Sequence, residues 1–157
     1  MVKKTLLILD LDGVLITTPP WKPDKIHSDG YSDFNVESVK NLNELLQVAN
    51  FEIWLSSTRR TAKSLQEFNQ IFKNRNIEGE IVGFLPIHQS RLSRREEIEY
   101  FIEQNQLLDY LIIDDDKSLN VLKDKSKLVL TELLKGFDGE KLIDAKRKQI
   151  SNSFEDC

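Results

Sequence analysis

The sequence is poor in several features, and each shortage excludes something. It holds a single cysteine, Cys157, at the last position. No internal disulfide can form, and nothing points to an oxidising compartment. Positive charge is not in surplus: the formal net charge is −4. That argues against a general nucleic-acid coat but leaves room for a local basic rim. Long hydrophobic runs are missing. The apolar stretch after Lys4 is cut short at Asp10, too soon for a spanning helix, and the acids that follow speak against a signal peptide. No membrane association is expected, and a cytoplasmic location is the default. Repeats, low-complexity stretches and internal linkers are also missing. Only the tail 151–157 reads as loose, which leaves 1–150 as one expected domain. With 157 residues, 39% hydrophobic and 31% charged, the chain can bury an ordinary core.

What is present alternates. Thr5 to Leu11 (TLLILDL) is nearly all apolar, as suits a strand buried on both faces of a parallel sheet. Glu52 to Ser56, Glu80 to Leu85, Tyr110 to Ile113 and Lys127 to Leu130 read as further strands. Helical spacing falls between them: Val36, Val39, Leu42, Leu45 and Leu46 after Asn35 as N-cap, then Leu65, Phe68, Ile71 and Phe72, then Ile98, Phe101 and Ile102. Ser93 and Glu96 have capping-box spacing. A short helix is expected after Asp116, and another over 139–150. The pattern predicts an α/β fold, three layers with a mostly parallel five-stranded sheet. Residues 17–34 interrupt it with Pro19, Pro20, Pro23, Gly30, Trp21 and Tyr31. They read as a long loop or flap, and loops of this length are often functional.

The chemistry sits at strand ends. Asp10-Leu11-Asp12-Gly13 closes the first strand. Two nearby carboxylates repel unless a cation lies between them, and oxygen ligands suit Mg2+. Asp114-Asp115-Asp116 closes another strand in the same way. In open α/β sheets ligands bind at the carboxyl ends of strands, so both clusters converge on one crevice. Ser56-Ser57-Thr58-Arg59-Arg60 follows the second strand, where hydroxyls and free N–H groups can hold phosphate oxygens. Arg94 stands in a first helical turn, where a cation opposes the helix dipole unless an anion is near. Each feature has an ordinary alternative: a capped turn, a solvated acidic loop, an N-cap, an exposed arginine.

The order of these motifs resembles the haloacid dehalogenase superfamily of phosphatases, over about Thr5 to Thr131. ILDLDGVL and LIIDDD are close to the family forms, IWLSST fits, and Arg94 stands where lysine is more usual. A closer likeness is to the haloacid-dehalogenase-type (HAD) domains of Swiss-army-knife RNA repair proteins, through IWLSSTR, LSRREEI, LIIDDD and LVLTELLKGFDGEKL. The tryptophan expected before the arginine of the second motif is missing, with Thr58 and Arg59 standing there. The resemblance implies a HAD-like Rossmannoid fold and a phosphatase. Asp10 is its nucleophile, forming an aspartyl-phosphate. Asp12 is its acid and base. The resemblance also implies Mg2+ held by Asp10, Asp114, the Asp12 backbone carbonyl and, through water, Asp115. Ser56, with Ser57 second, and Arg94 hold the phosphoryl oxygens.

A receiver-type phosphoacceptor domain is a weaker match. It needs an acceptor aspartate at a middle strand end and a lysine at the last, where this chain has Ser56, Leu85 and Thr131. A degenerate phosphate-binding module is the other alternative. The gaps from Asp12 to Ser56 and from Ser56 to Arg94 leave no room for a large cap domain. An open site suits a nucleic-acid end, a nucleotide or another phosphomonoester. Trp21 or Tyr31 would contact the leaving group, or Trp21 would pack beneath its own loop. Lys22, Lys25, Arg59, Arg60, Arg91 and Arg95 are candidates for a basic rim.

Overall fold

A strand covered on both faces has no use for polar alternation, and the first strand shows how this chain uses that rule. In the computed structural model, which describes residues 4–155 apart from Gln89, Arg91 and Leu108, Leu7 and Leu9 point to one side of the sheet and Ile8 to the other. The strands are β1 (Lys4–Leu9), β2 (Asn50–Leu55), β3 (Ile81–Phe84), β4 (Tyr110–Asp114) and β5 (Leu128–Leu130). They form one sheet in the order β3-β2-β1-β4-β5, and every pairing is parallel. The helices are α1 (Val36–Leu46), α2 (Leu65–Asn74), α3 (Arg94–Gln104) and α4 (Gly139–Glu155). Leu42 and Leu45 of α1, Phe68 and Phe72 of α2 and Leu142 of α4 cover the Leu7 face. Ile98 and Phe101 of α3 cover the Ile8 face, with Leu119 from a 3-10 helix at Lys117–Val121. The result is the expected three-layer α/β/α arrangement, with no large cap between the strands.

Helix starts follow local chemistry. Asn35 accepts from the Ser38 N–H at 3.0 Å to cap α1. Ser64 with Glu67, and Ser93 with Glu96, form complete capping boxes at α2 and α3. α4 runs on to Glu155, through part of the stretch expected to be loose. Cys157 lies outside the described residues.

The register brings the strand ends to one level. Leu9 pairs with Leu55 on one side and with Ile113 on the other. The next residue of each strand is therefore Asp10, Ser56 and Asp114, side by side at the carboxyl edge. The first strand ends sooner than expected, at Leu9, because the chain turns sharply after Asp10. The N–H groups of Val14, Leu15 and Ile16 all donate to the Leu11 carbonyl, at 3.1, 2.9 and 2.9 Å. Gly13 takes φ +78° in this turn, where a side chain is disfavoured. The segment after β5 closes over the same turn. The Phe137 N–H donates to the Val14 carbonyl at 2.9 Å, while Gly136 sits at φ +64° with no space for a Cβ against that carbonyl.

Candidate active site

β1 and β4 are neighbours, so their terminal acids cannot avoid each other. Asp10 is 4% exposed and Asp114 0%. Ligand oxygens of Asp10, Asp114 and the half-buried Asp115 all lie within 4.8 Å of one another. Burial, then the Asp114 carboxylate, pushes the Asp10 carboxyl well above its ordinary range, against the pull of Arg94. Burial and Asp114 raise Asp115 as well. The cation that meets this charge is Arg94, whose Nη1 is 2.7 Å from Asp114 Oδ2 and 3.4 Å from Asp10 Oδ2. Arg94 is the first residue of α3. Its unfavourable place on the helix dipole is offset by the two acids it reaches. Burial works against its charge, but Asp114 and Asp10 outweigh that and raise its pKa.

Ser56 joins the cluster, its Oγ 3.4 Å from Asp114 Oδ2. Ser57 is also buried, but its hydroxyl accepts from the Arg59 N–H at 3.1 Å and caps a 3-10 helix at Thr58–Thr61. Asp115 also presses on the first motif. A Cβ at Gly13 would lie 2.1 Å from Asp115 Oδ2, so a side chain there is excluded by backbone and neighbour alike. Thr131, one residue past β5, donates its hydroxyl to the Gly13 carbonyl at 2.6 Å. Nothing in the sequence marks Thr131 as part of the site apart from its place after the last strand.

Asp12 stands apart. Its side chain is 42% exposed and lies outside the three-carboxylate cluster, turned to Arg59. Arg59 donates through Nε to Oδ2 and through Nη2 to Oδ1, both at 2.8 Å. The two carboxylates of the first motif therefore face different partners, as the bend at Gly13 requires.

The expected basic rim is reduced. Arg60 has only 5% of its side chain exposed and is a structural tie, bound to Glu97 at 2.6 Å and to the carbonyls of Leu85, Ser56 and Ser57. Arg95 is paired with Glu99, and Arg59 with Asp12 and Asp24. Lys22 and Lys25 are exposed. Arg91 lies outside the described residues. Trp21 is 74% exposed, which removes the reading in which it packs beneath its loop. Tyr31 instead packs edge-on against Phe68, with centroids 6.0 Å apart.

The donor set of the cluster is all carboxylate, with no nitrogen or sulfur ligand among the described residues. That chemistry fits a hard divalent cation of the Mg2+ kind. Acids at adjacent ends of a parallel sheet, a hydroxyl beside them and a cation from the next helix define a domain of the haloacid dehalogenase type. The chain belongs to the family described as the HAD domain in Swiss Army Knife RNA repair proteins, whose model matches residues 6–142. No curated protein matches the chain. Membership places it among phosphohydrolase-type domains, which act on phosphorylated substrates and are generally Mg2+-dependent. No helix among the described residues is long and apolar enough to cross a membrane.

Proposed function

We propose that the chain is a Mg2+-dependent phosphomonoester hydrolase acting through an aspartyl-phosphate on Asp10. One observation carries this reading: two buried carboxylates, Asp10 and Asp114, share the single guanidinium of Arg94 at the open edge of the sheet. Such a pair is costly to keep without a function.

Asp10 Oδ attacks phosphorus and the bond to the leaving oxygen breaks. Asp12 passes a proton to that oxygen, then takes one from the water that hydrolyses the acyl phosphate. Ser56 and Arg94 hold the phosphoryl oxygens, and Ser57 fixes the turn that carries Ser56. Asp10, Asp114, the Asp12 backbone carbonyl and, through water, Asp115 would hold Mg2+. When bound, the ion neutralises charge so that a carboxylate and a phosphate can meet.

The open site suits a nucleotide or a phosphorylated nucleic-acid end. Support comes from the flap 17–34, which meets the Arg59–Asp12 pair through Asp24 and Ser32 and carries exposed Trp21, Lys22 and Lys25. An exposed indole beside lysines can stack on a base and meet its phosphates.

The test is turnover of an aryl phosphate with Mg2+, in wild type and Asp10→Asn. The carboxamide is a poor nucleophile, so turnover should vanish while the fold remains. Activity within about tenfold of wild type, roughly 1.4 kcal/mol, would contradict the nucleophile assignment. A wild type inert on every phosphate ester would favour a binding module.

A further inference from the structure

Arg59 is engaged on two fronts. Its bidentate bond holds both oxygens of Asp12. The same guanidinium donates from Nη2 to Asp24 Oδ2 at 3.0 Å and from Nη1 to Ser32 Oγ at 3.1 Å. Ser32 in turn donates to Asp24. Asp24 and Ser32 belong to the flap, Asp12 to the turn after β1, and Arg59 to the 3-10 helix after β2. The Arg59 backbone is fixed separately, through the Ser57 hydroxyl. The Tyr31 ring, also of the flap, has its centroid 5.8 Å from the guanidinium.

We infer that Arg59 is a positioning residue for Asp12, and that the flap residues Asp24 and Ser32 hold Arg59 in place to do it. The inference rests on the proposed phosphohydrolase reading, in which Asp12 is acid and base. Arginine carries only donors. The Arg59 Nε and Nη2 on the two Asp12 oxygens set the plane and direction of that carboxyl. The fork keeps that direction only if the guanidinium is itself held. Asp24 and Ser32 supply that hold. A flap out of place would let Arg59 move with Asp12, and the carboxyl would lose its aim at the leaving oxygen. The proton passes from Asp12 to that oxygen as its bond to phosphorus breaks, with the phosphoryl group on Asp10. Misplacement of Asp12 thus harms the step in proportion to how much the leaving group needs the proton.

This sets a test that a merely structural role would not satisfy. Values of kcat/KM are measured for an alkyl phosphate, whose leaving oxygen needs protonation, and for 2,4-dinitrophenyl phosphate, whose does not. Arg59→Gln should lose at least tenfold more on the alkyl ester than on the activated one. Arg59→Lys should recover only part of the difference, because lysine keeps the charge but not the fork. Asp24→Asn and Ser32→Ala should show the same selective pattern, more weakly. Combined with Arg59→Gln, Asp24→Asn should add little further loss, since both act through one contact. Equal losses on both esters, or no selective loss in the flap variants, would overturn the inference. Asp10→Asn is run alongside. If wild-type turnover does not depend on Asp10, the phosphohydrolase reading fails. If it does, and Arg59→Gln is unselective, only the positioning role fails. Should Arg59→Gln not fold, the two flap variants decide alone.

Discussion

At the scale of single residues, the two acid motifs meet through van der Waals contact as well as charge. Gly13 has Asp115 where its Cβ would be, at 2.1 Å from Oδ2 and 2.7 Å from the Asp115 Cβ. Gly13→Ala therefore adds a steric conflict to an unfavourable backbone angle. The backbone part alone costs on the order of 1 kcal/mol. The steric part should be relieved by Asp115→Gly, which removes the opposing atoms. In urea unfolding, Gly13→Ala should cost clearly more in the wild-type background than in Asp115→Gly, and the difference is the coupling between the motifs. Equal costs would mean that the turn tolerates a methyl group by moving elsewhere. Asp10, Asp114 and Ser56 were legible as candidates because each follows an apolar run, and the register then sets them level. The partner of Asp12 was not legible. Nothing in the spacing of Asp12 and Arg59 says that they meet, since that contact needs the β1–β2 pairing and the bend at Gly13 together.

At the scale of elements, strands and helices were readable because burial on both sheet faces writes continuous apolar runs, and because side-chain caps mark Asn35 and Ser93. The flap was legible only as an interruption. Its anchors come from distant elements, and an arginine's partners do not show in its neighbours. Arg75, at the end of α2, binds the Asp29 carboxylate at 2.6 and 3.0 Å and the Ser32 carbonyl at 2.9 Å. The Arg75 hydrogen bonds hold the Asp29 carboxyl well below the usual range. A depressed pKa contributes stability above the unfolded value, and that stability is lost as pH falls through the folded one. Asp29→Asn should therefore lower stability at pH 7 by about 1–3 kcal/mol, the pair being part-buried. Thermal melts at pH 7 and at pH 3 should show the gap to wild type narrowing in acid. A gap that widens in acid would mean that Asp29 is not what Arg75 needs. The exposed side of the same flap carries the substrate prediction. Trp21→Ala should reduce kcat/KM for a nucleotide much more than for a small non-aromatic ester. Equal reductions would deny Trp21 a base contact.

At the scale of the whole molecule, the site is a concentration of like charge inside an otherwise well-packed domain. Asp10 and Asp114 are buried, Asp115 is half-buried, and among the described residues Arg94 alone is paired with the first two. Burial and the Asp114 carboxylate push the Asp10 carboxyl up to about 9, so metal-free protein should relieve part of this by holding a proton there. A raised carboxyl pKa gives stability that is complete below the unfolded value and is lost as pH climbs towards the folded one. The metal-free protein should thus weaken steadily between pH 4 and pH 9 on this account. Under the proposed reading Mg2+ would take the proton's place, so its binding should release that proton and strengthen as pH rises. At a concentration about 100-fold above Kd, binding adds roughly 2.7 kcal/mol, or about 5–10 °C in Tm for a chain of this size. The shift should be larger at pH 8 than at pH 6. Asp114→Ala should abolish most of it. Asp116→Ala should lower the metal-free Tm, because its carboxylate caps the 3-10 helix through the Ser118 N–H, yet leave the Mg2+ shift in place. Asp115→Ala should fall between the two. A titration in which all three variants lose the shift equally would contradict a direct ligand role for Asp114, and a wild type whose Tm ignores Mg2+ at both pH values would remove the metal from the site.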